Sequence, residues 1–305
     1  MKTLIHIGYQ KTGTTWLQKN FFPFINNICY LGKESELLKT ILKPNIFDFH
    51  TDKIKSEFSK KYNKQLIISN EDLLGIINYS WHNGIIAKEI AQRLQLVFPK
   101  ANIVIFIRNQ FDFVASAYYE YIKSGGNYSF TRFFNELKSE NYYGKIQLSS
   151  IDYLRYSDLI EFYIKLFGKD HVHVFLYEDL KKNNRVFLEQ FSNKFDLKVD
   201  FDKIDYSSKN SRLRKNLVNL LKTANYFSKG NTSFKKNILN IPLIFPLINR
   251  NTEKLNYFKF FGKPRNNIDI IGFKNYNLIK KYYSESNQRL LKMGYESIKK
   301  YNYPL

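Results

Sequence analysis

Residues 103–107 read Ile-Val-Ile-Phe-Ile, five apolar side chains in succession. A strand alternates its side chains between two faces, so an unbroken apolar run needs cover on both. This excludes a sheet with one wet face and predicts a parallel sheet with helices on both sides. Residues 3–7, 65–69 (QLIIS) and 172–177 (VHVFLY) are also apolar and β-prone. Between these runs the apolar spacing turns helical. Residues 87–98 carry Ile90, Leu94, Val97 and Phe98 before Pro99, and a helix over 112–123 ends at Gly125 and Gly126. Ser157 is placed to cap a helix bearing Leu159, Phe162, Tyr163, Leu166 and Phe167, which Gly168 stops. Further helices run through Phe187, Leu188, Phe191 and Phe195, and through Leu278, Tyr282, Tyr283, Asn287, Leu290 and Leu291. Right-handed crossovers then bring the C-terminal ends of all strands to one edge, where such sheets bind ligands.

That edge receives an unusual loop. Gly8-Tyr9-Gln10-Lys11-Thr12-Gly13-Thr14-Thr15-Trp16 lies between the first strand and a helix beginning near Thr14. A glycine-bearing turn entering a helix offers unpaired backbone N–H groups and a positive dipole end, a ready site for phosphate. The nucleoside-triphosphatase loop GxxxxGK[ST] needs Lys directly after its second Gly. Here Thr14 holds that position and the lysine sits inside the loop at Lys11. After residues 103–107, Arg108 at the ligand edge offers a planar fork for phosphate, and Ser116 falls two turns into the next helix; taken alone, an arginine there also reads as a structural ion pair.

Charge adds a third indication. The chain of 305 residues carries 48 Lys+Arg against 27 Asp+Glu, a net +21. Only 10 of the basic residues are Arg, and Asn, Ile, Tyr and Phe abound, so part of the excess reflects an AT-rich coding bias. Its placement is more telling: residues 207–265 hold thirteen basic side chains and one acidic one, Glu253, for a local +12. A helix there is capped by Ser211 and runs from Leu213 to Phe227, followed by the proline-broken run ILNIPLIFPLI at 238–248. That run is shorter than the ~20 residues needed to cross a bilayer. It either rests in a lipid headgroup layer or packs onto the sheet core. One cysteine, Cys29, excludes an internal disulfide framework, and the apolar stretch before Lys11 is too short for a secretory signal; a cytoplasmic protein is expected.

With these motifs in view, the chain resembles the sulfotransferases that use 3′-phosphoadenosine 5′-phosphosulfate (PAPS). IHIGYQKTGTTWLQ is similar to the family's 5′-phosphosulfate loop. The resemblance implies that Lys11, Thr12, Gly13, Thr14, Thr15 and Trp16 contact the nucleotide, with Lys11 neutralising charge on the bridging oxygen. IVIFIRNQFDFVAS resembles the 3′-phosphate element, with Arg108 and Ser116 as the gripping pair. YSDLIEFYIKLFGKDHVHVFLYEDLKKN and the C-terminal YYSESNQRLLKMGYESIKKYNYP resemble bacterial members, while residues 30–60 and 225–262 are least similar. Gly262-Lys263-Pro264-Arg265 stands where glycan sulfotransferases carry a nucleotide-reaching loop of form GKxxGR, which nominates Lys263 and Arg265. The implied fold is one P-loop-like, three-layer α/β domain over 1–305, with the basic subregion at 207–265.

Sulfuryl transfer needs a base for the acceptor hydroxyl. Glu71 follows the 65–69 strand and resembles the glutamate base of glycan-type relatives; Asp72, its neighbour on an extended end, is expected to point elsewhere. His82 is the rival, since phenol-type sulfotransferases use histidine. His6 and His173 alternate within strands and read as sheet residues, and Glu178-Asp179 as a turn or cap. No metal is implied, because a sulfuryl group carries less charge than a phosphoryl group. The expected acceptor is a hydroxyl-bearing glycan or glycolipid, with contact to an anionic membrane as a further expectation. The remaining alternatives are an atypical P-loop phosphotransferase and a basic nucleic-acid-binding protein. The basic segment's aliphatic runs, without a recognition motif, speak against nucleic acid.

Overall fold

The computed structural model describes residues 2–305 except 43–44, 46, 48, 75–85, 139–150, 208–211 and 233–234. The chain opens with β1 (Thr3–His6), α1 (Thr14–Asn20), β2 (Ile28–Leu31), α2 (Glu36–Leu42), α3 (Thr51–Lys61) and β3 (Gln65–Ser69). Next come α4 (Ala87–Val97), β4 (Asn102–Ile107), α5 (Gln110–Lys123), α6 (Phe130–Lys138), α7 (Tyr156–Phe167) and β5 (Val172–Leu176). Helices complete it: α8 (Tyr177–Lys182), α9 (Asn184–Phe195), α10 (Lys215–Asn225), α11 (Ile244–Tyr257), α12 (Asn267–Ile271), α13 (Phe273–Lys292) and α14 (Ser297–Lys300).

The five strands form one sheet in the order β2-β3-β1-β4-β5, and every pairing is parallel. The apolar runs are divided between two faces by the period of two. Ile5, Leu66, Ile68, Ile103, Ile105 and Ile107 join one core with Ile90 of α4, Ile160 of α7 and Ile279 of α13. Leu4, Ile67, Val104 and Phe106 join the other with Leu17 of α1 and Leu188 and Phe191 of α9. The result is the three-layer α/β architecture expected from residues 103–107.

His6 alternates onto the second face, its ring against Phe22 and Phe106 and its Nδ1 2.8 Å from Ser69 Oγ. Burial holds its pKa down to about 4, despite the opposing pull of Glu71, so it is a neutral sheet residue. His173 lies in β5, with Nε2 2.9 Å from Asn102 Oδ1.

Three local expectations are corrected. Ser157 is not a cap: it lies inside α7, whose N-cap is Arg155, and its hydroxyl is 2.9 Å from Ser286 Oγ of α13. A buried polar contact between two helices took precedence over local capping. The helix after 212 is α10, beginning at Lys215 and ending at Asn225; Leu213 and Phe227 flank it, and Ser211 lies outside the described residues. Buried Asn225 donates to the carbonyls of Ile122 (2.9 Å) and Gly126 (2.7 Å), tying α10 to the end of α5.

The third concerns residues 238–248. They split into an irregular approach and the start of α11, whose first turn tolerates Pro246. Ile248 packs against the core, but Ile238, Leu239, Ile241, Leu243 and Leu247 are exposed, so the run does not pack wholly onto the sheet. Among the described residues no helix is long and apolar enough to cross a membrane.

Candidate active site

β1 leads away to β2 and β3 on one side, while β4 leads to β5 on the other, so the crevice between β1 and β4 is the sheet's switch point. Pairing continues past β1: Tyr9 N donates to Phe106 O (2.8 Å) and Phe106 N to Gly8 O (2.7 Å). The 8–13 loop therefore rises directly beside Arg108. Gly8, Lys11 and Gly13 all have positive φ (96°, 58° and 84°). A Cβ on Gly8 would meet Glu71 Cβ at 3.2 Å, and one on Gly13 would meet Leu180 and Tyr177 at 3.3 Å. Positive φ favours glycine at both positions, and a Cβ at either would also press on a close neighbour.

Arg108 is tied to this loop, since its Nη1 donates to Lys11 O at 2.8 Å. Its guanidinium lies over the Tyr177 ring, 4.8 Å from the centroid, which orients the fork. Lys11 Nζ pairs with Glu120 Oε2 at 3.2 Å. Glu120 follows half-buried Ser116 by one turn of α5, so both lie on the face turned to the loop. Thr12 is fully buried and its hydroxyl donates to Tyr9 O, which commits that side chain to the loop's own structure. Gly13 is the N-cap of α1 with no side chain bonded to the helix end; Thr14 is buried, Thr15 exposed, and Trp16 packs against the second core.

Glu71 opens a short 3-10 turn, Glu71–Leu74, after β3. Its Oε2 accepts from Gln18 Nε2 (3.0 Å), and its Oε1 lies 3.5 Å from Lys33 Nζ. Burial pushes its pKa up, but Lys33, its own backbone N–H and Gln18 prevail and hold it below the ordinary value. Asp72 does not point elsewhere as expected: its Oδ2 is 3.2 Å from the same Lys33 Nζ. The tight turn replaces the extended geometry in which neighbours diverge. Burial lifts the Asp72 pKa, with Glu71 adding to the rise against the pull of Lys33.

The 262–265 loop is held beside α5. Arg214 Nη1 donates to Gly262 O (2.6 Å), and Lys215 N donates to Lys263 O (3.2 Å). Asp112, in the first turn of α5, accepts from Arg212 (2.5 Å) and Asn267 (2.8 Å) on either side of the loop. Arg265 is half-buried and acts electrostatically on Tyr118 and Tyr119 of α5, whereas Lys263 is exposed. His82 lies outside the described residues. Glu178 serves as a cap: its Oε1 accepts from Asn109 N (2.8 Å) and its Oε2 from Tyr303 OH (3.0 Å), while Asp179 accepts from Tyr301 OH. Among the described residues, no group of three His, Cys, Asp or Glu could hold a metal ion.

Lys11, Glu71, Arg108 and Ser116 thus share one edge, with the loop bearing Arg265 on its flank. Lys33, Gln18, Glu120 and Tyr177 were missed from the sequence. Glu120 carried a usable signal in its i+4 spacing from Ser116; Lys33 and Glu71 are 38 positions apart and carried none.

The family model described as "Sulfotransferase domain" matches residues 2–241. No curated protein matches the sequence significantly. Among solved structures, a sulfotransferase from Alicyclobacillus acidocaldarius is 17% identical, with 69% of this chain and 87% of that one covered and a TM-score of 0.49. Mouse sulfotransferase SULT7A1 complexed with PAP is 15% identical, with coverage of 97% and 89% and a TM-score of 0.47.

Proposed function

The chain belongs to the sulfotransferase-domain family, and from that premise we propose that it moves a sulfuryl group from PAPS to an acceptor hydroxyl by in-line displacement. The observation that carries the residue assignment is the joining of Lys11 and Arg108 by the 2.8 Å bond at the ends of two adjacent parallel strands. Two cationic groups of different geometry then face one crevice: a point charge and a planar fork.

The residues fit the nucleotide. Gly8 and Gly13 let the loop bend at positive φ close against Glu71, Leu180 and Tyr177, and no side chain bonds to the start of α1, which leaves its first backbone N–H groups for a phosphate. PAPS supplies an activated sulfuryl group on its 5′-phosphate. Lys11, released from Glu120, would balance charge gathering on the leaving oxygen, helped by the N–H groups of residues 12–16. Arg108 would grip the 3′-phosphate, with Ser116 as a neutral donor and Arg265, with Lys263, closing over it. Glu71, ionised at neutral pH, would accept the acceptor's proton. A glycan or glycolipid hydroxyl is the acceptor in this reading, and a cytoplasmic setting suits a chain whose one cysteine is Cys29.

The test is calorimetric titration with adenosine 3′,5′-bisphosphate, with ATP and an oligonucleotide as controls. Binding of the bisphosphate above both controls is expected, and Arg108→Ala should weaken it by ~2–4 kcal/mol, the scale for removing one partner of a desolvated charge pair. Unchanged affinity in that variant removes Arg108 from the site. Preference for ATP with magnesium would move the protein to the phosphotransferases.

A further inference from the structure

We propose that the outward face of α11, with the exposed residues before and after it, docks onto an anionic lipid bilayer. At ~100° per residue, Leu243, just before the helix, Leu247, Arg250, Lys254 and Tyr257 fall within an arc of about 80°. Ile248, Thr252, Leu255 and Asn256 occupy the opposite side, where Thr252 and Asn256 are buried and Ile248 and Leu255 pack on the core. The arc is therefore the helix's free face. Leu243 is 78% exposed, Leu247 65% and Tyr257 82%, and Arg250 and Lys254 are exposed between them. Exposed Ile238, Leu239 and Ile241 lead into the first end, while Phe258 and Phe260, the latter 87% exposed, leave from the second.

Apolar side chains thus cluster at both ends of a helix ~20 Å long, with two cations between. This suits an interfacial helix lying flat: the ends sink to the acyl boundary, the tyrosine sits at headgroup level, and Arg250 and Lys254 meet lipid phosphates with their alkyl stems along the apolar surface. Charge selects the occupant. On α11 and the turn after it the exposed charges are Arg250, Lys254 and Lys259 against Glu253, a net positive surface that complements an anionic bilayer. A second copy fits poorly, because two-fold pairing of this face would set the Arg250–Lys254 centre against itself.

The experiment is flotation of the full chain with vesicles of phosphatidylcholine alone or with 30% phosphatidylglycerol, over a series of NaCl concentrations. Binding to the anionic vesicles, weakening as salt rises, is expected. Leu243→Ser with Leu247→Ser, and separately Arg250→Gln with Lys254→Gln, should each reduce affinity about ten-fold or more. Lys165→Gln with Lys194→Gln, on α7 and α9, removes the same charge elsewhere and should leave binding nearly intact. All these positions are exposed, and matching circular dichroism shows that the variants fold. As an independent readout, Tyr257→Trp should be quenched by brominated lipid. The proposal is overturned by absence of binding at low salt, by equal loss in the control pair, by insensitivity to the α11 variants, by lack of quenching, or by self-association that those variants abolish.

Discussion

Glu71 shows how one side chain's surroundings would set the pH range of the proposed reaction. Its carboxylate is the active form of a base, and burial opposes that form, yet Lys33, the backbone N–H and Gln18 together hold the pKa below the ordinary 4.5. The acid limb of kcat/KM should therefore lie below pH 4.5, since protonation removes the base only there. A limb near 6.5 would instead mark His82. Lys33→Ala removes the largest downward pull and should move the limb to higher pH. Glu71→Gln should lower kcat by ~10²–10⁴ while leaving nucleotide affinity in place. Near-normal turnover in Glu71→Gln, with an inactive His82→Ala, would transfer the role to His82.

Among the elements, the decisive join is between the end of α5 and the chain following α10. A Cβ on Gly125 would fall 2.6 Å from Gly230 Cα, and Asn231 N donates to Ser124 O at 2.8 Å. The two backbones cross in contact, and Gly125 holds φ +98°. Gly125→Ala combines a left-handed penalty with overlap against backbone and should cost about 2–4 kcal/mol in urea unfolding. Gly294→Ala, at another helix end with the same φ of +98° but open space around it, should lose less. Equal losses would mean that crowding at the crossing is unimportant. The sequence marks Gly125 as a helix stop, but what it stops against lies a hundred residues away.

Across the whole molecule, the C-terminal segment is built into the back of the site. Asn109 Nδ2 donates to the carbonyls of Tyr301 and Asn302, both at 2.8 Å, and Tyr303 OH reaches Glu178. Asn287 Nδ2 donates to Pro304 O at 2.7 Å. Asn109 and Glu178 adjoin Arg108 and Tyr177, the stacked pair, so the segment braces the fork indirectly. Deleting residues 301–305 would strip buried Asn109 Nδ2 of both its acceptors, at ~1–3 kcal/mol. It would also take one partner each from Asn287 and half-buried Glu178, and empty the place of buried Tyr303, where losing an aromatic ring costs about 3–5 kcal/mol. At least about 3 kcal/mol of stability should be lost, together with affinity for adenosine 3′,5′-bisphosphate. Full stability and affinity in the deletion would show that the brace is dispensable.

The sequence by itself determined the layers and the places of the glycine loop and of Arg108. Both depend on rules that act within a few residues: an apolar run with no alternation must be covered twice, and a glycine loop between strand and helix leaves N–H groups unpaired. Arg108 and Ser116 were legible for the same reason, as a strand end and a position two turns into a helix. Tertiary structure decided the rest. Strand order places β1 between β3 and β4, and so brings Lys11, Glu71 and Arg108 to one edge; that order is set by packing of both cores together. Pairing of Lys11 with Glu120 and of Glu71 and Asp72 with Lys33 follows from that arrangement, as does the outward turn of residues 238–247. A hydrogen bond or ion pair between distant residues forms only after the chain between them is folded, so nothing local records it.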